Sequence, residues 1–285
     1  MSYLSDLADV CRAAGLTVIE VDGWRTRTRR SDPAGYSAGR PTHVMVHHTA
    51  SPPRTDGQPD VNYIVAGSPN APVANLYLDR RGRVWVCAAG VTNTNGSGSA
   101  PWAAGLVADN DMNRHAVAIE AANTGVGEPW PTVQQDAYIT LCAALCRAYG
   151  IPTDRVRGHF EWAPGRKIDP AGPSRWAPNG GTWPMAAFRA DVAAELVAPP
   201  TPSPRSRPMW VICRNRNTGV YHVSDGVWRR SVGTNPDPII WASVASGYPL
   251  RDAATGKQVG QASDVTDVDA PFIEGLGVVA REVPR

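Results

Sequence analysis

Lysine is nearly missing from this chain: of 28 basic residues only Lys167 and Lys257 are lysines. Arginine supplies the rest, a usage that GC-rich genomes such as those of actinobacteria tend to encode. The net charge is only +2, too small for the basic footprint of a nucleic-acid binder. No window approaches the roughly 18 uninterrupted apolar residues of a membrane helix, which argues against stable membrane insertion. The N-terminal "MSYLSDLADVCRAAG" has no basic segment followed by an apolar one, so synthesis in the cytoplasm without a signal peptide is expected. The five cysteines are an odd number spread over 285 residues, which excludes a disulfide scaffold. Cys142 and Cys146, spaced i and i+4, read as small apolar packing residues.

What is present is the composition of a globular protein, 42% hydrophobic and 19% charged, with length for one large domain or two ordinary ones. Residues 199–208, "PPTPSPRSRP", hold five prolines and cannot continue a helix; they favour an extended spacer. They divide the chain into 1–198, a linker 199–208, and 209–285.

In the first part, "SYLSDLADVCRAAG" reads as a short amphipathic helix closed by Gly15. "HVMVHHT" alternates as a strand, with Val44, Val46 and His48 on one face and His43, Met45 and His47 on the other. "NLYLDRRGRVWVC" reads as two strands about a turn at Arg81 and Gly82. "HAVAIEAAN" is a further strand with Glu120 opposite Val117 and Ile119. Thr132 and Gln135 predict a capping box for a helix presenting Tyr138, Leu141, Cys142, Leu145 and Tyr149 on one face. This mixture predicts an α/β fold with a central mixed sheet flanked by helices. The second part carries "WVICRN", "VYHVSD" and "VWRRSV", three short strand-like runs of a β-meander.

The chemistry-bearing residues gather in "GHFEWAPGRKIDP", residues 158–170. A hydrolytic zinc site needs about three nitrogen or carboxylate ligands and an open position; His159, Asp169 and the distant His47 suit it. His47 and His48, adjacent on a strand, point to opposite faces, so at most one of them is a ligand.

"HVMVHHTA", "HAVAIEAAN" and "GHFEWAPGRKIDPAG", in that order, resemble the signature blocks of the type 2 N-acetylmuramoyl-L-alanine amidases, over residues 41–172. That family includes phage endolysins, bacterial muropeptide amidases and animal peptidoglycan-recognition proteins. The resemblance implies zinc held by His47, His159 and Asp169, with Lys167 contacting the developing oxyanion and Glu120 assisting proton transfer. It implies the substrate, the amide between the lactyl group of N-acetylmuramic acid and L-alanine in peptidoglycan. Some phage members place a tyrosine near the start of the strand that here reads "ANLYLDRRG", where Ala74 or Asn75 falls; this shifts weight to Glu120 and leaves Tyr77 as a packing neighbour.

Of the other histidines, His48 lines the cleft or packs behind it, and His43 and His115 are structural. Trp102, Trp130 and Trp162 are candidates for stacking on sugar rings. A catalytic domain, a linker and a small β-rich domain resemble a phage endolysin of an actinobacterial host, released to the cell wall after synthesis in the host cytoplasm. Residues 209–285 would then bind the wall through Trp210, Tyr221 and Trp228, or serve stability or oligomerisation. The alternatives for the first domain are a non-catalytic peptidoglycan binder of the same fold and a zinc endopeptidase of the stem peptide. The oligomeric state is not indicated.

Overall fold

In the computed structural model the described residues are 3–33 and 35–197, and beyond them 211–218, 220–224, 228–235, 251–252, 259, 265, 267–268 and 278–279. The proline-rich 199–208 and Trp210 lie outside the described residues. The chain divides into two units, Met1–Ser203 and Pro204–Arg285.

In the first unit, helix α1 (Leu7–Ala13) leads to strand β1 (Val18–Glu20) and, after an irregular stretch, to β2 (His43–His48). Helix α2 (Gln58–Asn62) precedes the hairpin of β3 (Leu76–Leu78) and β4 (Val84–Val86). Then come β5 (Ala116–Ala121), the long helix α3 (Thr132–Tyr149), β6 (Val156–Gly158), the single turn α4 (His159–Trp162) and α5 (Met185–Val197). The sheet order is β1-β4-β3-β5-β2-β6, antiparallel only between β3 and β4. This is the mixed sheet flanked by helices that the sequence predicts.

Side-chain alternation gives the sheet two working faces. Val44, Val46, Leu76, Leu78, Val117 and Ile119 turn to one side, where they form the main core with Tyr138 and Leu141 of α3 and Phe188 of α5. On the other side Tyr77, Glu120 and His47 stand in register across the adjacent strands β3, β5 and β2. The sheet therefore holds a row of polar groups above a largely apolar underside.

The predicted capping box on α3 is not formed. Pro131 occupies the cap without a side-chain cap bond, and Thr132 is already helical. The Gln135 amide is used elsewhere: it donates to Trp130 O at 2.7 Å and accepts from Arg175 N at 2.9 Å, closing two loops instead of the helix end. Gly150 ends the helix in the left-handed conformation, φ 65°, where glycine is least strained.

The second unit carries the predicted meander: β7 (Val211–Asn215), β8 (Tyr221–Ser224) and β9 (Trp228–Gly233) pair antiparallel in sequence. Short strands β10 (Arg251–Asp252) and β11 (Asp267–Val268) lie parallel to β7, and β12 (Val278–Val279) lies parallel to β9. Tyr221 is buried, with the Arg214 guanidinium 5.8 Å from its ring centre. A buried ring of this kind has no free face for a wall polymer, so Tyr221 is withdrawn as a contact.

His43 at the start of β2 is structural, as expected. It is buried, with Nδ1 2.9 Å from Thr42 Oγ1 and its ring centre 5.6 Å from that of Trp102. Burial, reinforced by the charges of Arg155, His115 and Arg157, pushes its imidazole down to about 3, so the fold holds it neutral. The unfolded chain, with a histidine near 6.5, takes up the proton first. Its contribution is present above pH 6.5 and is lost as the pH falls toward about 3. Urea titrations of His43→Gln should therefore show a shallower fall of stability across that window than the parent protein; parallel curves would reject this assignment.

Candidate metal centre

His47 is placed by strand pairing and by a bracket from below. It sits one residue from the end of β2, opposite Glu120 of β5. The Tyr138 hydroxyl, rising from α3 on the apolar side, accepts a hydrogen bond from His47 N at 2.9 Å and donates to His47 O at 3.0 Å. Both main-chain polar groups of the residue are thus fixed by one buried phenol.

His159 and Asp169 are delivered by a tightly folded loop. β6 ends at Gly158 and α4 begins at His159. The Glu161 carboxylate accepts Gly158 N at 2.9 Å and is itself held by Arg189 at 2.9 Å and Arg157 at 3.3 Å. A Cβ at Gly158 would lie 2.9 Å from Phe160 Cε1 and 3.0 Å from Pro170 Cδ, so a side chain there would push the loop open. Phe160 N donates to Asp169 O at 3.1 Å and Trp183 N to Pro170 O at 3.0 Å, which closes the loop on itself.

The three predicted ligands come together. His47 Nδ1 and His159 Nδ1 are 2.9 Å apart, and each lies 3.0 Å from Asp169 Oδ2. Their far ring nitrogens face acceptors: His159 Nε2 is 2.8 Å from Asn95 O and His47 Nε2 is 3.1 Å from Asn95 Oδ1. A carbonyl oxygen only accepts, so each Nε2 carries a hydrogen and, in a neutral ring, each Nδ1 carries a lone pair. Burial, with His159 adding, pushes His47 down to about 4, which keeps it neutral. Two imidazole nitrogens and a carboxylate oxygen, buried and converging, are a donor set suited to a divalent transition metal. It is the one such cluster among the described residues.

Glu120 stands beside His47 on the same face. Its Oε2 is buried and takes no hydrogen bond among the described residues. Burial, then the negative charges of Asp169 and Asp60, raise its carboxyl well above the ordinary value, while Lys167 works against them. Lys167 is half-buried on the ligand loop. His48 points away from the ligands, as alternation requires. It is buried; its Nδ1 accepts Ala171 N at 3.1 Å, and its ring lies where a Cβ on Gly125, at φ +73°, would meet it at 2.2 Å. It ties the chain just past Asp169 to β2.

Trp130 and Trp162 are a correction. Trp162 is fully buried and Trp130, inside the main core, is 3% exposed, so neither ring is open to a sugar. Trp102 is half-buried, with Arg157 4.5 Å from its ring centre and its Nε1 donating to Glu161 O. Tyr77 packs as expected, and its hydroxyl also donates to Asp60 Oδ2 at 2.9 Å. Sequence reasoning missed Asn95, whose "NTNGSGS" surroundings look like any polar loop, and it read Tyr138 only as a core residue.

No helix among the described residues is long and apolar enough to cross a membrane. Residues 37–172 match the family model described as N-acetylmuramoyl-L-alanine amidase. Similar solved structures include an AmpD derivative, at 20% identity over 62% of this chain and 94% of that one with a TM-score of 0.43. AmiD from E. coli, solved with anhydro-N-acetylmuramic acid-L-Ala-D-gamma-Glu-L-Lys, is similar at 18% identity over 62% and 65% of the two chains, TM-score 0.42. The PlyG catalytic domain is similar at 19% identity over 66% and 99%, TM-score 0.41. No curated protein matches the chain.

Removing the Tyr138 hydroxyl leaves a buried main-chain N–H and C=O without that partner. Tyr138→Phe is expected to cost about 1–3 kcal/mol of unfolding free energy in denaturant titration. A variant as stable as the parent would show that the bracket is dispensable.

Proposed function

We propose, from the match of residues 37–172 to the family model described as N-acetylmuramoyl-L-alanine amidase, that this chain is a zinc-dependent type 2 amidase of bacterial peptidoglycan. It would cleave the amide between the lactyl group of N-acetylmuramic acid and L-alanine of the stem peptide. The observation that carries the reading is the convergence of His47 Nδ1, His159 Nδ1 and Asp169 Oδ2. These three residues would hold the ion, which when bound supplies the Lewis acidity that amide hydrolysis draws on.

The remaining work belongs to the chain's own groups. Glu120, with its raised carboxyl, is suited to accept a proton from the attacking water and return it to the leaving amine nitrogen near neutral pH. Lys167 would place a compact positive charge where the scissile carbonyl oxygen gains negative charge in the transition state. We further propose an endolysin role, encoded by a bacteriophage of an actinobacterial host, with 1–198 catalytic and 209–285 binding the wall. The proline-rich 199–208 and the small β-rich second unit support that organisation, in which a tether raises the effective concentration of enzyme at its polymer.

Purified peptidoglycan incubated with the protein, with and without chelator, should yield new L-alanine amino termini beside intact muramic acid by mass spectrometry, and only without chelator. Cleavage inside the stem peptide would make it an endopeptidase, and no new ends from a zinc-loaded protein would make it a binder. His159→Ala and Asp169→Ala should lose both metal and activity. Glu120→Gln should lower kcat about 10²–10⁴-fold. The acid limb of the kcat/KM profile, lying above the usual carboxylate range because a raised base loses its proton at higher pH, should vanish with it. If Glu120→Gln kept that limb, the base would be another group.

A further inference from the structure

Each neutral imidazole in the metal centre must be held in one of two tautomers, and the metal-facing lone pair sits on whichever nitrogen lacks the hydrogen. Metal-binding histidines generally have the other nitrogen fixed by an acceptor. Here both acceptors come from one residue. Asn95 presents its main-chain O to His159 Nε2 at 2.8 Å and its side-chain Oδ1 to His47 Nε2 at 3.1 Å. Asn95 is itself 1% exposed. Its main-chain N–H donates to Asn113 Oδ1 at 2.8 Å, and the Arg166 guanidinium from the ligand loop reaches Asn95 O at 3.4 Å and also bonds Ser97 O. The next turn of this segment is pinned where Gly98 N donates to Asn110 Oδ1 at 3.0 Å.

We propose that Asn95 is the positioning residue of the metal centre: its two oxygens jointly lock His47 and His159 with Nδ1 toward Asp169, and Asn113 holds it in place. This rests on the metal reading above. The two contacts are chemically unequal, and that makes the proposal testable one ring at a time. A side-chain truncation removes the acceptor of His47 and leaves the main-chain acceptor of His159 intact, whereas loss of the Asn113 anchor releases both.

The test uses the full chain, with zinc affinity measured by competition against a chromophoric chelator and imidazole Nε2–H signals followed by NMR. The parent protein should show two Nε2–H protons shielded from exchange with water, from His47 and His159. Asn95→Ala should lose the His47 signal, keep that of His159, and bind zinc about 10–100-fold more weakly. Asn95→Asp, which keeps a side-chain oxygen, should recover both the signal and the affinity, a rescue that a merely folding-related role would not give. Asn113→Ala should weaken both signals. Parental zinc affinity with an undiminished His47 signal in Asn95→Ala overturns the proposal. Failure of the metal reading is separately visible, as a parent protein that shows both protected signals yet takes up no zinc.

Discussion

Three electron-pair donors that repel one another are held within 3.0 Å in a buried place, and most of the first unit's architecture answers that demand. Left free, two neutral imidazoles and a carboxylate would turn their lone pairs apart. The sheet prevents this for His47, because its main chain is clamped by Tyr138 and paired with β5. The loop 158–170 prevents it for the other two, because Gly158, the Phe160–Asp169 main-chain bond and the Trp183–Pro170 bond leave the loop one compact path. Such rigidity is costly unless something gains from it, and a cation bound at the centre of the cluster would turn the mutual repulsion into attraction.

The same field gives two neighbouring carboxylates opposite characters. Asp169 and Glu120 both lie in low-dielectric surroundings that favour the neutral form. Asp169 lies 3.0 Å from two imidazole nitrogens, where a bound cation would hold it ionised; Glu120 has an Oε2 without a hydrogen-bond partner among the described residues and feels Asp169 as a like charge. In the proposed mechanism one carboxylate would serve as a permanent donor and the other would exchange a proton. The division follows from which strand and loop each occupies, since the residue types are nearly equivalent.

Much of this was legible in the amino-acid order. Period-two alternation in "HVMVHHT" and "HAVAIEAAN" put His47 and Glu120 on the polar face, because a strand with one buried side has no freedom of register. His47, His159 and Asp169 were legible as a set only through the resemblance, since each alone reads as an ordinary turn or core residue. Asn95 was not legible, because half of its contribution is made by a main-chain oxygen that every residue possesses. The tryptophans misled for a related reason: Trp130 is buried against Trp183 and Trp162 beneath residues 100–118, segments distant in sequence that local pattern does not encode. The capping box on α3 failed because Gln135 had better partners in loops distant in sequence.

Arg166 and Lys167, side by side on the ligand loop, explain why a chain so poor in lysine keeps one here. Arg166 bridges the carbonyls of Asn95 and Ser97 through a single guanidinium nitrogen, Nη2, a structural task. Lys167 is half-buried and acts through space, lowering the carboxyl of Glu120 and the imidazole of His48. A guanidinium in its place would spread the same charge over a wider, more weakly hydrated plane. A compact ammonium concentrates its field at one point, the property that the proposed stabilisation of a single developing oxyanion would draw on.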